Sequence, residues 1–409
     1  MKIIFYEVRK CFFTRPLLIL LGILLTLNML VVYVQYRQAG IGFSDDFTRH
    51  MATDGEWNYY QTLHQELDGT ITKEKVHLVV NDYKTYQKKI QRGDYSTEYD
   101  PNTNTGYLFG DYSLLKTHFY EPMEYLISYR NENDSLVKRA KQNIVFFKKL
   151  GNRFEMERNK YIVEKYQSRD TIEFYDTQGW RKLLEYDYSD LMIIVMLFAC
   201  MVPCFYSERK NGMENIILST RKGSRSYVCG KHLAFYACAI FLVLIFATCN
   251  YMLMDCLYNL PGGEMKLYSL QEYQYTSLNI SVRQFYVLVV ILKCIALCGI
   301  VTILGIISRL FSNVFTIFMV MLAMVVIGLY FSGFIHGISN VAVMAALASP
   351  FSLLQGAELY KGLSGINVAG HFLPWLSAHL ALQVLLQIGL WLLIWIYTKC
   401  ISRRLRNAW

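Results

Sequence analysis

Four long stretches of this chain contain no Asp, Glu, Lys or Arg. They run from Pro16 to Tyr36, from His232 to Met254, from Leu310 to Ala357 and from Gly362 to Thr398. A helix of about 20 apolar residues is long enough to cross the hydrocarbon core of a bilayer. With 54% hydrophobic residues over 409 positions, the chain also has more apolar surface than a soluble protein of this size normally hides. The sequence therefore predicts an all-α polytopic membrane protein.

Two further segments complete a set of six predicted spans. Leu191 to Ser207 is short for a span, and Gln284 to Ser308 is long enough but contains Lys293. Leu310 to Ala357 is too long for one crossing. We therefore expect a span that ends near Phe334, followed by an apolar piece, containing ASPFSLLQGA, that re-enters the membrane or lies at its interface. The predicted transmembrane helices are 16–36, 189–206, 232–255, 284–308, 310–334 and 374–398.

Basic residues fix the predicted orientation. Segment 207–231, between the second and third spans, has only two acids, Glu208 and Glu214. It has six basic residues: Arg209, Lys210, Arg221, Lys222, Arg225 and Lys231. The N-terminal segment 1–15 and the C-terminal tail 399–409 are also basic. Short loops rich in Lys and Arg stay in the cytoplasm, so we expect this loop and both termini inside the cell membrane.

The N-terminal segment 1–15 has the pattern of an amphipathic helix. Ile4, Phe5, Val8 and Phe12 recur at helical spacing, with charged residues between them. This pattern predicts an elbow helix that lies flat on the membrane before the first span. The apolar run that follows is too long for a secretory signal and lacks a cleavage site, so the first span is expected to remain uncleaved.

The largest polar segment, 37–188, is predicted to form a mainly helical extracellular domain between spans 1 and 2. Leu136, Ala140, Ile144 and Phe147 recur at helical spacing within it. It contains no cysteine, so no disulfide framework is expected there. Its many tyrosines are expected to fill the edge of the core more than to form a ligand surface. Segments 256–283 and 335–373 are the other predicted outer loops.

The sequence lacks the motifs of common enzymes. The nearest candidate for a P-loop begins at Gly223, but it has six residues between its glycines instead of four, and His232 stands where Ser or Thr must bind magnesium. The eight histidines form no His-Glu-x-x-His motif, and the ten cysteines form no Cys-x-x-Cys motif. We therefore expect no enzymatic activity, no cofactor and no metal site in this chain.

Lys293 is the one full charge inside a predicted span. It lies about ten residues beyond Arg283, which corresponds to a depth of about 15 Å at 1.5 Å per residue. An unpaired charge at such a depth costs a few kcal/mol. Lys293 should therefore face protein or water, either in a translocation pathway or against a structural partner such as a carbonyl or a buried polar group.

Cysteine pairs inside the spans leave another alternative open. Cys200 and Cys204 are one helical turn apart, as are Cys294 and Cys298. This spacing suits a metal ion, but thiols in a span more often serve as small apolar groups.

The basic loop has the signals of a short helix. Asn211 is a candidate cap, Glu214 completes an approximate capping box, and Gly223 suits the position after the last turn. Three apolar residues share one face of this helix: Met213, Ile216 and Ile217. A helix of about three turns is expected on the cytoplasmic membrane surface. It either binds anionic lipid through its basic residues or fits a groove on a soluble partner, and its acids and cap favour the partner.

The same loop resembles that of type-2 permeases, the membrane subunits of ATP-binding-cassette (ABC) exporters. The resemblance rests on Glu208, Asn211-Gly212, Glu214 and the run ILSTRKGSRSYVCGK. The elbow helix, the six spans and SPFSLL before the last span agree with this family over the membrane half of the chain. In this family the loop is a coupling helix that docks into a separate subunit, which binds ATP and Mg²⁺ and hydrolyses the ATP.

The resemblance implies roles for individual residues. Those expected to meet the ATPase subunit are Glu208, Gly212, Met213, Glu214, Ile217 and Leu218, with Arg221 and Arg225 setting the register. Two permease chains, identical or related, and two ATPase chains would form an exporter in a bacterial plasma membrane. The substrate path would run between the permeases, with membrane lipid around them and no nucleic-acid partner. Peptides, antibiotics and lipids all remain possible substrates.

Two other functional classes stay open. In the first, the chain is a peptide-sensing or immunity protein, whose extracellular domain binds a ligand without transport and which has no ATPase partner. In the second, the chain is a membrane acyltransferase with His336 as its base, although no partner motif stands beside that histidine.

Overall fold

The computed structural model describes residues 2–38, 54–94, 108–167, 169–170, 173–220, 223–311, 313–332 and 340–407. The described chain is mostly helical. Its α-helices are α1 (Lys2–Cys11), α2 (Arg15–Arg37), α3 (Asp54–Leu67), α4 (Lys73–Arg92), α5 (Leu108–Leu115), α6 (Glu121–Lys149), α7 (Arg153–Tyr166), α8 (Gln178–Leu184), α9 (Tyr188–Lys210), α10 (Met213–Ser219), α11 (Gly223–Tyr258), α12 (Val282–Leu310), α13 (Val314–Ser332), α14 (Asn340–Ala348), α15 (Pro350–Leu354), α16 (Gly356–Leu359) and α17 (Trp375–Asn407).

Short elements complete the secondary structure. A π-helical turn joins α5 to α6, and two 3-10 turns lie between α11 and α12. Four short strands form two antiparallel ribbons, β1 with β2 and β3 with β4. The strands are β1 (Gly69–Thr70), β2 (Glu173–Phe174), β3 (Gly365–Val368) and β4 (His371–Pro374).

Five helical stretches of the described chain are long and apolar enough to cross a membrane. They are Arg15–Arg37 (α2), Gln178–Lys210 (α8 and α9), Tyr227–Tyr258 (within α11), Val282–Leu310 (α12) and Trp375–Arg403 (within α17). A sixth apolar stretch, Val314–Tyr330 in α13, is shorter. The prediction of a helical polytopic membrane protein is confirmed at this level.

α12 lies at the centre of the long helices. Leu297, Ile300, Val301 and Leu304 have no exposed surface, because α12 packs against α9, α11, α13, α15 and α17. In α2 and α17, in contrast, few side chains are buried. Such an apolar exterior suits lipid contact better than contact with water.

The apolar piece after α13 folds back into the bundle. Its SPFSLL sequence begins α15: the Ser349 hydroxyl accepts a hydrogen bond from the Phe351 amide at 3.3 Å, and Pro350 takes the first helical position. Phe351 is buried against Gly328 of α13, where a Cβ atom would overlap the phenylalanine ring. The absence of a side chain at Gly328 therefore permits the close crossing of α13 and α15. Residues 333–339, which include His336, lie outside the described ranges.

Helices α3 to α8, with β1 and β2, form a polar domain between α2 and α9. Its core is aromatic: Trp57, Tyr60, Phe119 and Trp180 are almost fully buried and form edge-on or tilted contacts with one another or with neighbouring rings. This arrangement agrees with the expectation that its tyrosines serve mainly as core.

The polar domain contacts the loop between α11 and α12. Arg169 donates a hydrogen bond to the Thr276 carbonyl at 2.9 Å. Its guanidinium group lies 4.0 Å from the ring centroid of Tyr166 and 4.6 Å from that of Tyr268. A cation between two aromatic faces is attracted by both ring quadrupoles. This arginine therefore joins the end of α7 to the loop.

The polar domain also contacts the β3–β4 hairpin. A carboxylate oxygen of Glu157, on α7, accepts a hydrogen bond from the Phe372 amide at 3.1 Å, and the same carboxylate lies 3.1 Å from His371. The Phe372 ring packs against Phe154 and Tyr161. Because α17 follows β4 directly, this contact links the polar domain to the last long helix.

Candidate functional site

Helix α10 connects α9 to α11 at the end of the bundle away from the polar domain. The chain turns at Gly212, whose φ of +69° is a left-handed conformation that glycine adopts at little cost. Gly212 takes the N-cap position, and no side chain caps the helix. The prediction of an Asn211 cap and of a third turn is therefore wrong: α10 ends at Ser219, and Gly223 already begins α11.

The second turn of α10 fixes it to the bundle. Leu218 is buried. Ile217 packs against a small apolar cluster formed by Tyr227 and Val228 of α11 and Ile394 of α17. A fully buried leucine is worth about 2 kcal/mol in transfer free energy, so α10 is held in place by its own apolar residues.

The opposite face of α10 is apolar and exposed. Met213 has 50% and Ile216 has 64% of its surface exposed. We call these two residues the α10 apolar pair. Single exposed apolar residues are ordinary, but two on a short helix that is already fixed to the bundle form a contact surface with a defined position.

Arg209 ties α10 to the end of α12. Its guanidinium donates to the carbonyl oxygens of Phe311 at 2.6 Å and Arg309 at 2.7 Å, and it pairs with Glu214 at 3.4 Å. The last carbonyls of a helix lack helical partners and carry partial negative charge. Arg209 satisfies them for α12 while holding the first turn of α10. The Tyr397 hydroxyl, on α17, donates to the same Arg309 carbonyl at 3.2 Å.

Glu208 lies inside the bundle. One carboxylate oxygen pairs with Lys10 of α1 at 2.6 Å, and the other accepts hydrogen bonds from Lys231 and Tyr227 of α11. The Lys231 ammonium also lies over the Phe205 ring, at 4.0 Å from its centroid. Buried charges need such pairing because desolvation strongly disfavours an isolated ion. Glu208 therefore joins α1, α9 and α11.

The residues expected at a partner surface thus divide into three groups. Met213 is exposed and Ile217 is half-buried, with Gly212 at the turn between helices. Glu208, Glu214 and Leu218 hold the helix ends together and point into the bundle. Arg221 lies outside the described residues, and for Arg225 only the backbone position in α11 is described.

Sequence reasoning missed the inward role of the loop's charges. From the sequence, Arg209 and Lys231 count only as basic residues of the loop and Tyr227 has no assigned role, although each holds a helix end. No local pattern identifies them, because their partners are distant in sequence. Ile216 was placed on the apolar face of the loop helix but not among the contact residues, and it is the more exposed member of the α10 apolar pair.

Lys293 has two carboxylate partners at the other end of α9. Its ammonium lies 2.7 Å from Asp190 and 3.5 Å from Asp187, and its side chain is largely buried. Both aspartates belong to the start of α9, so Lys293 is level with that start even though it lies about three turns into α12. α12 thus extends about three turns beyond the level at which α9 begins.

An amide pair lies near this ion pair. Asn28 of α2 donates to Asn250 of α11 at 2.6 Å and accepts a hydrogen bond from the Tyr186 hydroxyl at 2.8 Å. Asn28 has no exposed surface. These bonds satisfy polar groups that would otherwise be costly inside an apolar bundle, and they attach the peripheral helix α2 to α11.

No protein-family model matches this chain, and no curated protein or solved structure matches it either.

Proposed function

We propose that this chain is the permease subunit of an ABC exporter and that a separate ATP-hydrolysing subunit docks on α10. In the proposed assembly α13 is the sixth span, α1 is the elbow helix, and the α10 end of the bundle faces the cytoplasm. The partner subunits bind ATP and Mg²⁺. Two permease chains enclose the substrate path.

The observation that best supports this proposal is the way α10 is mounted. Its α10 apolar pair, Met213 and Ile216, faces outward, while Leu218 is buried and Arg209 fastens the first turn to α12. A helix that only bound lipid would gain nothing from such attachment. A helix that receives force from a partner needs it, because movement must pass to the spans and not be lost in a flexible loop.

In this proposal the force passes through the contacts that α10 makes with the long helices. Ile217 passes motion to α11 and α17, and Arg209 passes it to α12. These are three of the long helices of the bundle. A push on the α10 apolar pair when two ATPase subunits close would therefore tilt α11, α12 and α17 together.

The proposed docking surface is smaller than the set of residues expected from the sequence. The partner contacts Met213 and Ile216, which are exposed, while Glu208, Glu214 and Leu218 are positioning residues behind them. In this assignment the acids of the loop set the position of α10 and do not themselves touch the partner.

A matched pair of variants tests the docking role. Ile216→Asp puts a charge on α10, and Leu150→Asp puts one on the polar domain at a residue that is equally exposed, 63% against 64%. Tagged full-length chain is purified in mild detergent from the cells that produce it, and vanadate-sensitive ATP hydrolysis is measured in the eluate. We expect Ile216→Asp to lose at least tenfold of this activity and Leu150→Asp to keep it. Equal activity in both, or none with the unaltered chain, overturns the proposal.

A second candidate function has one observation in its favour. A cavity of about 410 Å³ lies between the polar domain and the α11–α12 loop, lined by Tyr129, Glu132, Arg139, Tyr166 and Tyr275 among others. Its aromatic and charged side chains suit a peptide, as a sensing or immunity protein would require. In that case the unaltered chain elutes without ATP hydrolysis, and substitutions in the cavity abolish its biological effect while Ile216→Asp does not.

A further inference from the structure

The cavity between the polar domain and the α11–α12 loop is formed by three segments of the chain. Its volume of about 410 Å³ lies within the range of about 300–1,000 Å³ that is usual for small-ligand sites. Most of its lining comes from α6, between Tyr129 and Arg139. The rest comes from Tyr166 at the end of α7 and from Gln274 and Tyr275 in the loop. A ligand in this cavity would therefore contact the polar domain and the loop at the same time.

Hydrogen bonds between the three segments hold the walls of the cavity. The Tyr166 hydroxyl donates to the Tyr275 carbonyl. The Asn133 side chain donates to the Tyr166 carbonyl at 2.7 Å, and the Tyr129 hydroxyl donates to the Gln274 carbonyl at 3.4 Å. The walls are thus in place before a ligand binds, which reduces the ordering that binding requires.

The described lining of the cavity contains one acid and one base, Glu132 and Arg139. Both side chains are exposed, and Glu132 forms no ion pair or hydrogen bond with the described residues. Arg139 donates from Nε to the Ser135 carbonyl at 3.4 Å, while its two terminal nitrogens have no partner in the described part of the chain. Asp134 and Lys138 are charged residues of the same stretch of α6, but they do not line the cavity. One carboxylate and one guanidinium are therefore offered to a ligand.

The spacing of Glu132 and Arg139 sets the length of a ligand that can meet both. Seven residues make about two helical turns, so the two side chains share one face of α6 and are about 10 Å apart along its axis. Three residues of extended chain span a similar length, at about 3.3–3.6 Å per residue. Tyr275, which is 52% exposed, adds an aromatic ring to the lining. A tripeptide with free ends carries an ammonium group and a carboxylate at the required separation.

We propose that this cavity binds a tripeptide with free ends, its ammonium group on Glu132 and its carboxylate on Arg139. The guanidinium group can receive a carboxylate in bidentate geometry. The reverse orientation is disfavoured because it brings like charges together. This inference rests on the second candidate function, the binding of a peptide at this cavity, and it does not require an ATPase on α10.

The test is isothermal titration calorimetry of the full-length chain in detergent, with the tripeptide Ala-Phe-Ala as the probe. We expect saturable binding of one peptide per chain. N-acetylation and C-amidation of the peptide should each weaken binding at least fivefold, because each removes one of the two charges. The dipeptide Ala-Phe should also bind at least fivefold more weakly, since it is too short to reach both side chains.

Two variants assign the ends of the peptide. In Glu132→Gln, N-acetylation should no longer weaken binding. In Arg139→Gln, C-amidation should no longer weaken it. Asp134→Asn and Lys138→Gln are the matched controls, because each removes an exposed charge of α6 that lies outside the cavity. Both controls should bind the free and the blocked peptides as the unaltered chain does.

Three results overturn the proposal. The first is no binding of Ala-Phe-Ala. The second is equal affinity for the free peptide and for the peptide blocked at both ends. The third is a preference for free ends that persists in Glu132→Gln and Arg139→Gln. The second candidate function fails by a different result, a biological effect of the chain that survives substitutions in the cavity, and co-eluting ATP hydrolysis concerns only the docking on α10.

Discussion

The carboxylate of Glu208, near the end of α9, forms an ion pair with the ammonium of Lys231, an α11 side chain with no exposed surface. Lys10 of α1 pairs with the second carboxylate oxygen of Glu208. Three helices therefore share one buried carboxylate. Such a pair is often no more stabilising than apolar residues of the same volume, but the loss of one partner leaves an uncompensated charge in the bundle.

Glu208→Gln should consequently destabilise the chain by about 3–5 kcal/mol. The measurement is the midpoint of thermal unfolding in detergent, followed by tryptophan fluorescence. Adding Lys231→Met should restore most of the loss, since the orphaned ammonium is then removed as well. Glu264→Gln is the control: Glu264 is 73% exposed in its pair with Arg283, and such surface pairs contribute about 0–1 kcal/mol. An equal loss in both single variants would contradict the buried role of Glu208.

The ion pair of Lys293 with Asp190 separates the two roles left open for this lysine. Lys293→Met alone should lower the unfolding midpoint, because it leaves Asp190 buried without its cation. If the pair is structural, the double variant Lys293→Met with Asp190→Asn should regain most of the stability that Lys293→Met alone has lost. A double variant that folds normally but has lost function would instead assign Lys293 to a pathway.

Leu218→Ala and Ile216→Ala should affect different properties of α10. Leu218 is buried, so its truncation should cost about 2–5 kcal/mol of stability. Ile216 is exposed, so its truncation should change stability by less than about 0.5 kcal/mol while weakening ATPase association in the proposed assembly. The two quantities are measured by thermal unfolding and by co-eluting ATP hydrolysis. Equal losses of stability and of co-eluting ATP hydrolysis in the two variants would show that α10 has no separate outer face.

Glu214→Lys should loosen α10 without changing membrane insertion and, in the proposed assembly, lower ATPase association. The substitution replaces the partner of Arg209 with a like charge, so Arg209 holds only the carbonyls of α12. Limited proteolysis of the 207–231 loop provides the measurement, and we expect faster cleavage than in Glu214→Gln. Unchanged cleavage and unchanged ATPase association would count against the role of this ion pair.

Acid should destabilise the polar domain through His118. Burial lowers the pKa of His118 to about 3, with smaller effects of His64 and Arg181 in the same direction. Below a pH of about 6.5 the unfolded chain binds a proton that the folded domain does not, so the free energy of unfolding falls, by at most about 1.4 kcal/mol per pH unit, until a pH of about 3. Burial raises the pKa of Asp176, which works in the opposite direction.

His118→Gln should therefore flatten the decline of the unfolding midpoint as the pH is lowered from about 6.5. The Asp176 contribution, which favours the folded domain on acidification, should remain in the variant. A decline that is as steep in the variant as in the unaltered chain would mean that another group takes up the proton.

The five helices that are long enough to cross a membrane were predictable because each depends on local composition. A charge-free run long enough to cross a membrane defines α2 almost to the residue, 16–36 against Arg15–Arg37. The place of α10 followed in the same way from a polar loop between two apolar runs. The N-cap of α10 was not predictable, because Asn211 and Gly212 are equally plausible caps in the sequence. The structure uses Gly212, in a left-handed turn.

The parts that escaped prediction depend on which helix faces meet. Glu208 is 198 residues from Lys10, and Cys204 is 193 residues from Cys11, to which it is bonded, so no periodicity in the sequence reports these contacts. The β3–β4 hairpin is different. Ala369 and Gly370 both have positive φ in its two-residue turn, a backbone typical of tight hairpins, but the charge-free run around them masked the signal.

The polar domain contacts both the α11–α12 loop and the β3–β4 hairpin, so a molecule bound to this domain can act on α11 and α17 from a distance. At one end, α11 and α17 connect to the segments that contact the polar domain. At the other end, they contribute the apolar cluster against which Ile217 packs. Any molecule that binds the polar domain more tightly in one tilt of these helices must favour that tilt, and the linkage is reciprocal. In the proposed transporter, an antibody fragment that binds the polar domain more tightly in one tilt would therefore slow nucleotide hydrolysis on the other side of the bilayer.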